Sequence, residues 1–116
     1  MDRFTIDLED YSLDVLRKGS GQPLLLVHGS VSDARTWKKH IDVLTNSFDV
    51  VVPSLRYFGS QPWPDDGRAF GSTIHAADII KLIDALQLKD VLCVGWSYGG
   101  NVALHSATLN PTHINR

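Results

Sequence analysis

The segment Gly95-Trp96-Ser97-Tyr98-Gly99-Gly100 constrains the fold of this chain more than any other stretch. It follows the apolar run Val91-Leu92-Cys93-Val94 and opens onto Asn101-Val102-Ala103-Leu104-His105, so it reads as a tight passage from a strand into a helix. A serine flanked by glycines at such a junction is the pattern of a nucleophile elbow. The turn forces the serine into a strained backbone conformation and pushes its hydroxyl out above the sheet. A side chain at 95 or 99 would collide where strand and helix converge, which gives both glycines a steric reason. The helix N-terminus aims free N–H groups and the positive end of its dipole at the space beside the hydroxyl. Short motifs of this kind also arise by chance, so the rest of the chain has to supply the context.

Upstream, residues 3–8 and 11–17 read as two strands, with Asp10 near the turn between them and clear alternation in Tyr11-Ser12-Leu13-Asp14-Val15. Leu24-Leu25-Leu26-Val27 is a short continuous apolar run, as expected of a strand buried on both faces. Ala34, Trp37, Ile41 and Leu44 recur at helical spacing, which predicts a helix from Ser32 capped by Ser32 or Asp33. Phe48 and Val50-Val51-Val52 form another buried strand that Pro53 stops. The glycine- and proline-broken stretch from Pro53 to Gly71 is a long loop, of the kind that often carries function. Ala76, Ile79, Ile80, Ile83 and Leu86 mark an amphipathic helix over 72–88, capped by Ser72 or Thr73. Strand 91–95, the elbow and a helix over 98–109 complete the chain, with Asn110-Pro111 ending that helix. Two leading strands followed by strand–helix alternation predict an α/β fold. Its sheet is expected to be mostly parallel with an antiparallel leading hairpin, and helices should cover both faces.

Composition narrows the function without choosing it. The 116 residues are 43% hydrophobic and 21% charged, and the formal charge of −2 comes from eleven basic and thirteen acidic residues spread along the chain. No basic stripe points to nucleic acid, and no apolar run approaches membrane-spanning length. The charged first ten residues do not form a signal segment, and Cys93, the single cysteine, reads as a buried structural thiol. A cytoplasmic location is expected.

His28-Gly29-Ser30 directly follows the third strand. Parallel sheets place ligand sites at the carboxyl ends of their strands, where Ser97 also falls. The loop after His28-Gly29 is therefore positioned to supply a backbone N–H beside that of Tyr98, and two such donors make an oxyanion hole. His28 itself reads as a residue that shapes the loop rather than as the general base.

At this point the chain resembles the α/β-hydrolase superfamily over essentially its whole length. The resemblance rests on His28-Gly29 followed by Trp37, the strand to Pro53, Arg56-Tyr57-Phe58-Gly59-Ser60, and the elbow, in family order. It implies Ser97 as nucleophile and the N–H groups of Ser30 and Tyr98 as oxyanion donors, with Gly95, Gly99, His28 and Gly29 shaping the elbow and loop. The serine argues against the haloalkane dehalogenase and epoxide hydrolase branches, which use aspartate there. Trp96 and Trp63 are candidates to line the substrate site, and no metal or organic cofactor is implied. Where many members read Asp-x-Arg-Gly-x-Gly-x-Ser, this chain has Ser54-Leu55-Arg56-Tyr57-Phe58-Gly59-Ser60-Gln61, a departure in the conformation of that loop.

A second departure is larger. In this fold a carboxylate and then a histidine follow the serine to complete a triad. Only nineteen residues follow Ser97, and none is Asp or Glu. His105 reads as packed on its helix and His113 as a surface residue, while His40 and His75 precede the elbow. The chain is therefore expected to be the N-terminal half of a hydrolase acting on an ester, lactone or related acyl bond. A small-molecule acyl substrate is the expected ligand, and the triad would be completed by a missing C-terminal half or a second chain. Carbon–carbon bond hydrolysis, perhydrolysis and acyl transfer use similar elbows, and a non-catalytic binding or interaction module is the alternative from another class.

Overall fold

The computed structural model describes residues 2–114. Five strands, β1 (Asp2–Asp7), β2 (Ser12–Lys18), β3 (Gln22–Val27), β4 (Phe48–Pro53) and β5 (Leu92–Gly95), form one sheet in the order β1-β2-β4-β3-β5. β3 pairs in parallel with β4 and β5, while β2 is antiparallel to both β1 and β4, so only β2 runs against the other four.

The helices α1 (Lys38–Leu44), α2 (Ser72–Ala85) and α3 (Tyr98–Leu109) cover the two faces, and the period of two along each buried strand sorts the core between them. Leu24, Leu26, Val50 and Val52 point to one face, against Ala34, Trp37 and Ile41. Leu25, Val27 and Val51 point to the other, against Ile79, Leu82, Ile83 and Val102 of α2 and α3. The continuous apolar runs in β3 and β4 follow from this double coverage.

Two helix starts differ from expectation. The stretch after β3 begins as a 3₁₀ turn, Ala34–Trp37, with Asp33 as the cap accepting from the Arg35 N–H, and becomes α-helical only at Lys38. Ser32 instead spends its hydroxyl on Thr36. Gly71, with no side chain to offer, occupies the cap position of α2, and Ser72 turns its hydroxyl towards His105 Nδ1 at 3.2 Å. Cys93 is half-buried, and burial pushes its thiol up to about 12, consistent with an inert group.

Among the described residues β5 is the last regular strand on its side of the sheet. Val91, one residue earlier, makes an isolated parallel bridge to Ile114, and its N–H donates to the His113 carbonyl at 2.6 Å. Among the described residues no helix is long and apolar enough to cross a membrane.

Candidate active site

The chain leaves β3 through α1 to β4 on one side, then returns through α2 to β5 on the other. The winding therefore reverses at β3, and the carboxyl ends of β3 and β5 flank the crevice where α/β sheets hold ligands. Ser30 follows β3 and Ser97 follows β5, so topology alone brings these two segments to one crevice.

The elbow is built from close backbone approaches. A Cβ on Gly95 would lie 2.2 Å from the Gly99 carbonyl oxygen, and one on Gly99 would lie 2.2 Å from that of Val27 and 2.4 Å from that of His28. Helix α3 thus starts almost in contact with the end of β3. The β3–β5 ladder continues into the turn through Trp96 N–H to Val27 O at 3.1 Å. Ser97 caps α3 with φ 56° and ψ −121°, in the left-handed half of the map that side-chain-bearing residues avoid, and its side chain is exposed.

Across the crevice, Gly29 is buried and leaves no room for a side chain, because a Cβ there would meet the Trp96 ring at 2.9 Å. Val31, 95% exposed, holds φ 52°, an outlier for a β-branched residue. Strained positions thus occur on both walls, a distribution found at functional sites. The N–H groups of Gly99 and Gly100 donate to the carbonyls of Trp96 and Ser97 at 2.9 Å each. Tyr98, as the first helical residue, has no carbonyl one turn earlier in the helix to receive its N–H.

His28 is fully buried with both ring nitrogens committed. Its Nε2 accepts the Leu55 N–H at 2.8 Å, so the ring proton sits on Nδ1, which donates to the Gly29 carbonyl at 2.8 Å. Burial lowers its pKa below the usual histidine range. A neutral ring locked this way ties the loop after β4 to the loop after β3 and has no lone pair for a substrate. Trp96 is 55% exposed over Gly29. Trp63 borders a cleft of about 280 Å³ with Asp7, Asp10 and Tyr11, and is linked to the elbow through the rings of Tyr57 (4.8 Å), Phe70 and Tyr98.

The loop that departs from the family pattern is held by side chains from distant parts of the chain. Ser54 Oγ accepts the Ala34 N–H, Tyr11 Oη accepts the Tyr57 N–H, and Asp14 accepts from Ser60 and Gln61. Tyr57 sits where the family pattern has glycine and takes φ 77°, held there by Asp65 on its hydroxyl and the rings around it. Arg56, only 2% exposed, makes two bonds to Asp78 (2.8 and 2.9 Å) and two to Asp10 (3.0 Å each). The hydrogen bonds from Arg56 hold the Asp10 carboxyl below its usual range.

Sequence reasoning gave Arg56 no role and left His75 as a helix histidine of no consequence. His75 Nε2 is 3.1 Å from the Arg56 carbonyl and its Nδ1 is 2.5 Å from the Tyr98 hydroxyl. The available signal was the placement of His75 and Asp78 on the same stripe of α2 as Ala76, Ile79 and Leu82, since polar groups on a buried face need partners. Of the other histidines, His40 is exposed on α1, His105 is half-buried on α3 with Nδ1 beside the Ser72 hydroxyl, and His113 is half-buried with its carbonyl accepting from Val91 N–H. Among the described residues no cluster of three or more His, Cys, Asp or Glu could hold a metal ion.

A three-layer α/β sheet with a strained serine elbow at its switch point defines an α/β protein of the kind that holds its ligand above the carboxyl ends of its strands. The chain belongs to the α/β-hydrolase family: that family's profile, described as the alpha/beta hydrolase fold, matches residues 22–116. The soluble epoxide hydrolase of Corynebacterium sp. (strain C12) is 31% identical over 94% of this chain and 37% of its own length. The 2-hydroxymuconate semialdehyde hydrolase of Pseudomonas sp. (strain CF600) is 30% identical over 84% of this chain and 35% of its own. The crystal structure of epoxide hydrolase VrEH1 from Vigna radiata superposes with a TM-score of 0.90 at 25% identity, covering 97% of this chain and 37% of that one. The chain spans between 33% and 40% of the length of the curated relatives it matches first.

Proposed function

We propose that this chain is the nucleophile-bearing part of a serine hydrolase that cleaves an ester, lactone or related acyl bond. The observation that supports this most directly is the backbone of Ser97. A side-chain-bearing residue at φ 56° between Gly95 and Gly99, capping α3 and exposed to the crevice, is a costly arrangement with an evident chemical use. In this reading Ser97 Oγ attacks the carbonyl carbon, and the N–H groups of Tyr98 and Ser30 receive the charge that develops on the carbonyl oxygen. Each such donor contributes about 3 kcal/mol to the transition state by analogy with measured cases. His28 positions the Ser30 loop, and Trp96 walls the crevice. The proton of Ser97 goes to a histidine oriented by a carboxylate, both supplied from outside these residues.

The relatives' names range from epoxide hydrolase to 2-hydroxymuconate semialdehyde hydrolase, so the family does not choose the bond. The serine favours carbonyl substrates, because a hydroxyl adds to a carbonyl carbon to give an acyl-enzyme that water can release. Carbon–carbon hydrolysis of a keto substrate is the second reading, because a serine at such an elbow adds to a ketone carbonyl in the same way.

Turnover of p-nitrophenyl butyrate checks the proposal. The 116-residue chain is expected to be inert, and the protein with its later strands present is expected to lose at least about 10³-fold in kcat on Ser97→Ala. Turnover by the 116-residue chain that vanishes in Ser97→Ala would show the acid and base to lie within it. Full activity in Ser97→Ala of the longer protein would remove the nucleophile.

A further inference from the structure

We propose that His75 is a positioning residue for the elbow: by accepting the Tyr98 hydroxyl on Nδ1, it fixes the residue whose N–H stands beside Ser97. The inference rests on the serine-nucleophile reading for its catalytic meaning.

The first turn of α3 is Tyr98-Gly99-Gly100, and the close approach to β3 excludes a side chain at 99. Tyr98 therefore carries the only side chain by which the start of this helix can be tethered. Its hydroxyl meets His75 Nδ1 at 2.5 Å. The direction of that bond follows from the other side of the ring. The Arg56 carbonyl can only accept, so Nε2 carries the proton, Nδ1 is the lone pair, and the tyrosine donates.

The Arg56 carbonyl is itself held in place, since its guanidinium is clamped between Asp78 on α2 and Asp10 on the β1–β2 hairpin. Phe70 closes the pair, stacked on Tyr98 at 5.8 Å and edge-on to His75 at 5.1 Å. His75 is 0% exposed, and burial lowers its pKa, so the neutral tautomer that accepts from Tyr98 persists below the usual histidine range. The chain of contacts runs from the hairpin through Arg56 and His75 to the residue after the nucleophile. A merely space-filling histidine would not need its tautomer fixed at both nitrogens.

Three variants separate the two bonds. His75→Gln places an amide N–H where Nε2 reaches Arg56 and loses the acceptor for Tyr98. His75→Asn places a carbonyl where Nδ1 accepts from Tyr98 and loses the Arg56 bond. Tyr98→Phe removes the donor. The readout on the 116-residue chain is amide hydrogen exchange at Gly99 and Gly100, whose N–H groups are bonded to the Trp96 and Ser97 carbonyls across the same turn, followed by NMR. Exchange is expected to rise about tenfold in His75→Gln and in Tyr98→Phe, with no further rise when the two are combined, and to stay within about twofold of wild type in His75→Asn. Should His75→Gln not fold, Tyr98→Phe carries the same test.

A second readout, on the protein with its later strands present, is phenylboronic acid. The Ser97 oxygen adds to boron, its proton passes to solvent, and the resulting tetrahedral anion presents an oxygen to the Tyr98 N–H. Its affinity is expected to fall about tenfold in His75→Gln and to recover in His75→Asn. Unchanged exchange at Gly99 and Gly100 in both His75→Gln and Tyr98→Phe, with only the melting temperature lowered, overturns the positioning role. An adduct that survives Ser97→Ala, or none in wild type, overturns the serine reading instead, and the exchange data still decide His75.

Discussion

The elbow and the loop after β4 approach the same crevice, yet they are held in different ways. The elbow takes its backbone shape from the residue types within it: Gly95 lets the helix return over the strand, Gly99 lets it touch β3, and Ser97 absorbs the backbone strain. The loop over 54–61 takes its shape from residues far away in sequence, including Tyr11, Asp14, His28, Ala34, Asp10 and Asp78. A local motif survives as a pattern of letters. A loop stabilised at long range survives as a set of partners, and its letters can change so long as the partners do. Ser54 and Tyr57 are such changes, each with its own bonds to distant elements.

The strongest way to break the loop is through its buried charge. Asp78 and Arg56 are 1% and 2% exposed, so removing the carboxylate charge leaves a guanidinium in the interior with only the rim residue Asp10 to face it. Asp78→Asn is expected to cost about 3–5 kcal/mol in urea denaturation. Asp10→Asn removes a carboxylate that is 63% exposed and already solvated, and its cost is expected to be about 1 kcal/mol or less. Equal effects of the two substitutions would mean that the Arg56 clamp is shared at the surface rather than anchored on α2.

Acidification probes the same region next. His28 and His75 are both fully buried, and burial lowers both pKa values, so the unfolded chain binds protons that the folded one refuses. The stability from keeping these rings neutral is complete above the unfolded value near 6.5 and is lost as pH falls below it. The slope grows as pH falls below about 6.5 and is bounded by about 1.4 kcal/mol per pH unit for each histidine, above the range where carboxylates contribute. His75→Asn should remove one of the two contributions. A melting temperature that stays flat from pH 7 to pH 5 would mean that these rings accept protons in the folded state.

How much of this was legible in the sequence divides along the same line. The succession of strands and helices, the double coverage of the sheet and the elbow follow from periodicity and from glycine positions, which are local properties. So is the end of α3 at Leu109, ahead of Asn110-Pro111. The late start of α1 was not legible, because Ser32 and Asp33 are both competent caps and the choice fell to where their hydroxyl and carboxylate could reach. The Asp10–Arg56–Asp78 clamp and the His75–Tyr98 bond were not legible either. Their members are separated by 22, 23 and 46 positions, and no spacing rule joins residues that meet only after the sheet has formed.

The smallest expected effect sharpens the elbow side of the comparison, because it isolates backbone strain from every contact. Ser97 at φ 56° and ψ −121° holds a conformation that costs a residue with a Cβ about 1–3 kcal/mol and costs glycine little. Replacing it by glycine relieves that strain but frees the unfolded chain, which returns about 0.4–1 kcal/mol. The net expectation for Ser97→Gly is a gain of about 1 kcal/mol over wild type, while Ser97→Ala, which keeps the Cβ, stays within about 0.5 kcal/mol of it. Both side chains are exposed, so lost packing does not confuse the comparison. Thermal melts of the three proteins side by side give the answer. If the glycine variant is no more stable than the alanine variant, the elbow stores no strain, and the turn is held by the helix–strand contact at Gly99 alone.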